Sequence, residues 1–283
     1  MIPVLLISFL LFPTAVFAAE NPLAIVDASV QASEDAPPVS TEYRFLPGDY
    51  IYFTFQIAGF KVKSEERDEV HKISLAYEIA PLDSQGIPLA KAETGKVQTE
   101  LSAEDKNWLP KRRASFLLPS FIGAGEYHLH VGVKDVFGNG ETSADFPFHI
   151  GGIEVRASSA LTIENFQFLR SESDRQALKV PAFSPGDTVY ARFDMVGYKL
   201  GPKNDYRLSY GLRVLRPNGK LFFQDSKAAE LESDSFYPAA FVPGTIDLTT
   251  TPDTPRGEYI IVLTARDSIG NQSYEAKQAF SVE

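Results

Sequence analysis

Cysteine is absent from all 283 residues, which removes disulfides, thiolate nucleophiles and cysteine-ligated metals together. Tryptophan occurs once, as Trp108, and histidine four times. All four histidines (His71, His128, His130 and His149) fall between residues 71 and 149. No nucleophile, base and orienting residue can be assembled from so sparse a set, so no catalytic residue and no cofactor is nominated. Basic charge is in deficit, with 27 Lys and Arg against 37 Asp and Glu, a net charge of -10. Such a chain offers no footprint for nucleic acid and is repelled by anionic membrane surfaces. Beyond the first 18 residues no apolar run is long enough to cross a bilayer as a helix, and no amphipathic helical period appears.

The amino terminus is the exception. Met1 to Ala18 is apolar, without a charged side chain before Glu20, and Val16-Phe17-Ala18 followed by Ala19 is a small-residue pattern of the kind signal peptidase accepts. Residues 1–18 therefore read as a secretory signal, although the segment before the apolar run lacks Lys or Arg. Two prolines and a length at the short end for a span argue against an anchor. The expected mature chain is secreted or periplasmic, with no membrane insertion after cleavage. A cysteine-free exported protein of this size fits a bacterial envelope, because a core built from more than a hundred residues needs no disulfides.

The chain contains itself twice. Leu23-Ala24-Ile25 recurs as Leu161-Thr162-Ile163, and Phe45-Leu46-Pro47-Gly48-Asp49 as Phe183-Ser184-Pro185-Gly186-Asp187, at a constant offset of 138. Tyr52, Phe55, Gly59 and Lys61 are answered by Tyr190, Phe193, Gly197 and Lys199. Later, Gly125-Glu126-Tyr127 matches Gly257-Glu258-Tyr259 at an offset of 132, so the second copy is six residues shorter in its middle. Copies of this size are duplicated domains and not short solenoid repeats. The division read from the sequence is residues 19–152, a linker at 153–160, and residues 161–283.

Each copy alternates with period two. Ile51, Phe53, Phe55 and Ile57 share one side of a strand, as do Val189, Ala191, Phe193 and Met195. Ile73, Leu75, Tyr77 and Ile79, matched by Tyr206, Leu208, Tyr210 and Leu212, give a second strand. Asp83-Ser84-Gln85-Gly86 and Arg216-Pro217-Asn218-Gly219 then mark turns. Short strands separated by Gly- and Pro-rich turns predict an all-β protein of two tandem antiparallel β-sandwiches. In the connection, Ile153 and Val155 alternate with Glu154 and Arg156, predicting a strand-like link packed on a module.

A Gly-Glu-Tyr strand start, alternating apolar residues and an Asp-x-x-Gly-Asn hairpin (Asp135 to Asn139, Asp267 to Asn271) resemble the last two strands of immunoglobulin-like and fibronectin type III-like modules. The resemblance implies that Tyr127 and Tyr259 are tyrosine-corner residues whose hydroxyls tie back to the preceding loop. It covers both copies and names a superfold, which does not specify function. Asp135 and Asp267 read as turn-closing residues, with Gly138, Gly270 and the neighbouring Asn residues expected at positive φ. A single acidic residue per turn is too few oxygens for calcium.

Several residues are candidates for ligand or partner contact. His128 and His130 project from the face opposite Tyr127, one pleat apart, but two ligands make no tight metal site, and copy two has Ile260 and Val262 there. Trp108 precedes Lys111, Arg112 and Arg113 in a polar segment read as a loop, where sandwich proteins carry binding function. A second charged stretch runs from Lys61 to Lys72. Tyr52 and Tyr190 occupy equivalent places on the outward side of their strand, which predicts cover by a neighbouring segment. The expected function is non-enzymatic protein–protein binding or scaffolding at the periplasm or cell surface. A carbohydrate-binding or accessory module using Tyr50, Tyr52 and Trp108 is the alternative, and a metal-dependent hydrolase at His128 and His130 the weakest reading.

Overall fold

A computed structural model describes residues 22–65, 70–102, 104–105, 107–156 and 158–283. The proposed signal at 1–18 and the charged residues Glu66 to Glu69 lie outside the described residues. The first copy holds β1 (Ala24–Gln31), β2 (Arg44–Phe45), β3 (Tyr50–Ala58), β4 (Lys63–Glu65), β5 (Val70–Leu82), β6 (Glu93–Leu101), β7 (Lys111–Leu117), β8 (Gly125–Asp135) and β9 (Glu141–Ile150). The second holds β10 (Thr162–Leu169), β11 (Ala182–Phe183), β12 (Thr188–Val196), β13 (Tyr206–Leu215), β14 (Leu221–Ser233), β15 (Val242–Thr249), β16 (Gly257–Asp267) and β17 (Gln272–Val282). Among the described residues there is no α-helix.

The strands form four sheets, two per copy, and each copy is an immunoglobulin-like sandwich. In copy one the order β1-β3-β7 faces β2-β9-β8-β5, with β6 and β4 both paired to β5. In copy two β10-β12-β15 faces β11-β17-β16-β13-β14. Apart from β4, every strand of one copy has its counterpart in the other.

The period-two stripes are the cores. Ile51, Phe53, Phe55 and Ile57 are buried between the sheets of copy one, and Val189, Ala191, Phe193 and Met195 between those of copy two. Each large apolar side chain removed from water contributes about 1.5–3 kcal/mol, which is why these stripes settle which face turns inward. Even the irregularities are duplicated. β1 slips against β3 between Val26 and Ser29, and β10 against β12 between Glu164 and Gln167. At each bulge one residue takes positive φ, Asp27 at 49° and Asn165 at 52°. Short polar side chains tolerate that region, so the Asp/Asn correspondence is the local signature of the bulge.

Two local expectations need correction. Lys111, Arg112 and Arg113 are not loop residues, because they open β7 and pair with Gln56, Phe55 and Thr54 of β3. Part of the Lys61–Lys72 stretch is also strand, Lys63 and Ser64 pairing with Lys72 and His71. Charge masks these strands in the sequence, since edge strands tolerate charged side chains that central ones exclude. The connection between the copies is packed but is not a strand: Ala124 N donates to Ile153 O at 2.8 Å, and Val155 lies against Gly123.

Candidate binding surfaces

The frame that carries any binding surface is pinned at both ends of each sandwich. Tyr127 Oη donates to Gly123 O at 2.8 Å and Tyr259 Oη to Pro255 O at 2.7 Å, each four residues back. These are the tyrosine corners that the resemblance implies. At the opposite end, Asp135 and Asp267 do more than close their own turns. Asp135 Oδ1 accepts Phe137 N, and its Oδ2 reaches across to accept Lys61 N at 2.6 Å. Asp267 does the same with Ile269 N, Gly270 N and Lys199 N, the last at 2.9 Å. Both carboxylates are buried, and backbone donors on two segments compensate their burial.

The glycine of this turn is needed for a different reason from the one read in the sequence. Positive φ falls on Asn139 and Asn271, at 55° and 52°, and not on Gly138 or Gly270. A Cβ at Gly138 would stand 2.5 Å from Asp135 Oδ2, and one at Gly270 2.3 Å from Asp267 Oδ2. The missing side chain makes room for the clamping carboxylate.

On the outer face of β1-β3-β7 lies a cleft of about 190 Å³ lined by Tyr52, Thr54, Arg113, Glu34, Asp35 and Glu93. Tyr52 is half-buried, with Gln31 of β1 as its cross-strand neighbour. Arg113 pairs with Asp35 at 2.8 Å and approaches Glu34 at 3.7 Å. Burial holds the Glu93 carboxyl above its ordinary range. Arg112, on the other side of β7, turns inward with its guanidinium 5.8 Å from the Tyr77 ring, and its buried Nε has no hydrogen-bond partner. Tyr190, the equivalent of Tyr52, is also half-buried and pairs with Leu169 and Asp247.

Trp108, 40% exposed, sits in the turn before β7. Tyr50 and Tyr52 lie together, ring centroids 6.2 Å apart, but Tyr50 is at the far end of β3. Gln56, the partner of Lys111, lies six positions along the strand from Tyr50, about 20 Å at the usual rise per residue. The three aromatics therefore do not form one platform.

His128 and His130 face outward on β8, as their alternation with Leu129 and Val131 predicts. His130 Nδ1 is 2.6 Å from Asp145 Oδ1, while His128 has Pro147 and Leu82 as cross-strand neighbours. Among the described residues no group of three or more His, Cys, Asp or Glu could hold a metal ion. Beside this face runs an open trough of about 840 Å³ over Gly132, Ala76, Thr94 and Ser143, rimmed by Lys96 and the Lys134–Glu141 ion pair. Gly132 has no heavy atom within 4 Å of a Cβ built on it, so the trough is open where copy two carries Thr264.

The contact between the copies was invisible in the sequence. The turn at 234–241, between β14 and β15, meets the base of copy one. Tyr237 packs against the copy-one core and its hydroxyl donates to Asp83 Oδ2 at 3.1 Å. Ala240 N donates to Phe121 O at 2.8 Å, and the Phe121 and Phe241 rings are edge to face at 5.9 Å. Asp83 is meanwhile held by Gln85 N and Ile87 N, both at 2.8 Å.

No family model matches the chain, and no curated relative matches it. Among solved structures it is similar to the C-terminal domain of the Streptococcus pyogenes antigen I/II-family protein AspA. That match has 10% identity and a TM-score of 0.32, covering 93% of this chain and 100% of the other. The C-terminal domain of the Streptococcus agalactiae antigen I/II polypeptide BspA follows, with 10% identity, a TM-score of 0.31 and coverage of 92% and 100%. The native conformation of Escherichia coli alpha-2-macroglobulin matches at 9% identity and a TM-score of 0.29, over 94% of this chain and 17% of that one. Values this low carry no statement about what the chain binds.

Proposed function

We propose that this is an exported, non-enzymatic binding or scaffold protein of the bacterial envelope, with modules at residues 19–152 and 161–283 presented in sequence once residues 1–18 are removed. The junction of Tyr237, Asp83, Phe121 and Phe241 carries this reading, because it couples two sandwiches of common origin into one presenting unit. The surfaces of the two modules have meanwhile diverged: His128, His130 and Gly132 in copy one stand where copy two has Ile260, Val262 and Thr264. Divergent surfaces on a shared frame are how sandwich domains acquire separate partners. The partner class is protein.

A glycan partner is the second reading, favoured by the Tyr52 and Arg113 cleft, where an aromatic ring stands beside acids and a guanidinium. Saturable binding of the labelled exported chain to envelope fractions distinguishes the two. Binding lost after protease treatment supports a protein partner, and binding lost after periodate supports a glycan. No saturable binding to the untreated envelope fractions overturns the proposal.

A further inference from the structure

Four carboxylates are buried among the described residues, and three of them have several donors. Asp135 and Asp267 each accept main-chain N–H groups from two segments, and Asp83 accepts two such groups and the Tyr237 hydroxyl. Asp194 of β12 is the fourth. It is 6% exposed, yet the one hydrogen bond that reaches it is from Asn165 Nδ2 to Oδ2, at 2.9 Å, and no donor among the described residues reaches Oδ1. Its cross-strand neighbours are Glu164, an acid, and Pro243, which has no N–H. Arg192 lies on the same face, but its guanidinium is engaged by Gln167 Oε1 at 2.9 Å and Arg175 O at 3.1 Å. Burial outweighs the Asn165 bond and the Arg192 charge and holds the Asp194 carboxyl above its ordinary range. A buried carboxylate so short of donors is costly unless a cation arrives from outside.

There is room for one. Asp194 lines a cleft of about 860 Å³ between the outer face of β10-β12-β15 and the linker residues Gly152, Ile153, Glu154 and Arg156. Phe241 and Pro243 give the cleft an apolar wall, and Glu154 and Glu164 add negative charge. Phe241 is also the ring that meets Phe121 of copy one, so the cleft opens beside the junction of the modules. At the 138 offset copy one has Gln56 in the place of Asp194 and Val26 in that of Glu164, so both acids are particular to copy two. Among the described residues no group of three or more His, Cys, Asp or Glu could hold a metal ion, which leaves an organic cation. A guanidinium fits best, because its planar fork of donors matches a carboxylate and its methylene stem packs on apolar surface.

We infer that this cleft receives an arginine side chain of the partner protein, its guanidinium pairing with Asp194 and its stem lying along Phe241 and Pro243. Such an occupant presupposes the protein partner proposed above, but the cleft is testable without that partner.

The test is a titration of N-acetyl-arginine amide into the isotopically labelled exported chain, followed by NMR. The expected result is saturable binding with a Kd of about 1 mM, shifts gathered at residues 192–194 and 243–245, and at least tenfold weaker binding of the neutral isostere N-acetyl-citrulline amide. Asp194→Asn weakens the arginine probe about tenfold, roughly 1.4 kcal/mol, and leaves the denaturant midpoint unchanged or higher, because a buried charge has gone. Thr245→Trp keeps the carboxylate but fills the cleft from its exposed rim, and also weakens binding. No saturation, equal binding of the two probes, or undiminished binding by Asp194→Asn overturns the inference. A midpoint that falls in Asp194→Asn also overturns it, by assigning the carboxylate a structural role. Envelope binding that survives Asp194→Asn overturns the inference and leaves the protein-partner reading standing. Arginine-probe binding without any envelope binding supports the guanidinium cleft and overturns the partner reading instead.

Discussion

The hydroxyl of Tyr237 donates to a carboxylate oxygen of Asp83 at 3.1 Å, joining residues 154 positions apart in the chain. Tyr237→Phe keeps the ring against the copy-one core and removes only the donor. The expected loss is about 1.5 kcal/mol, the low end for a bond to an ionised group, since Asp83 keeps two backbone donors. Tyr237→Ala costs more, because ring packing goes as well. Denaturant titration measures both, and equal losses for Phe and Ala would show that the hydroxyl is the whole contribution.

The two tyrosine corners are expected to weaken on loss of the hydroxyl. Tyr127→Phe and Tyr259→Phe each remove a bond worth about 0.5–1.5 kcal/mol. Comparable losses are expected at the two, since each hydroxyl donates to one main-chain carbonyl four residues back. Thermal midpoints of the two variants measure them, and unchanged midpoints would show that the corner bonds contribute nothing.

Alkaline unfolding follows from the same residues. Burial first, and the Asp83 charge second, push the Tyr127 hydroxyl from 10.0 up to about 12. Burial also raises Tyr198 and Tyr237. The folded state therefore holds these protons to higher pH than the unfolded chain does. The contribution of Tyr127 to stability is complete below pH 10 and is lost between there and about pH 12, and those of Tyr198 and Tyr237 decline in the same direction. Tyr127→Phe is expected to flatten that decline in urea titrations at stepped pH while leaving the neutral-to-pH 9 slope unchanged.

Glycine substitutions separate packing from backbone freedom. Gly138→Ala and Gly270→Ala drive a methyl into the clamping carboxylates and are expected to cost about 1–3 kcal/mol. Gly132→Ala meets nothing within 4 Å and is expected to be neutral or stabilising by up to about 1 kcal/mol. Midpoints in denaturant distinguish the three. A Gly138→Ala variant as stable as Gly132→Ala would mean that the Asp135 clamp contributes little.

The duplication, the all-β class and the core stripes are legible along the chain, and the Gly-Glu-Tyr resemblance points to the tyrosine corners. Each is written in local terms: a period of two, a turn dipeptide, a Gly-Glu-Tyr strand start. The Asp27 and Asn165 bulges emerged from the strand pairing and were not read along the chain, although an Asx pair at matching positions is a local signal. That Asp135 clamps Lys61, 74 positions away, and that Arg112 and Arg113 leave β7 on opposite sides follow only from how the sheets come together. The closure of Tyr237 on Asp83 is of the same kind. Those contacts join segments whose approach depends on how two sheets stack and how two sandwiches meet, and no periodicity or turn chemistry along the chain encodes a distance across a core.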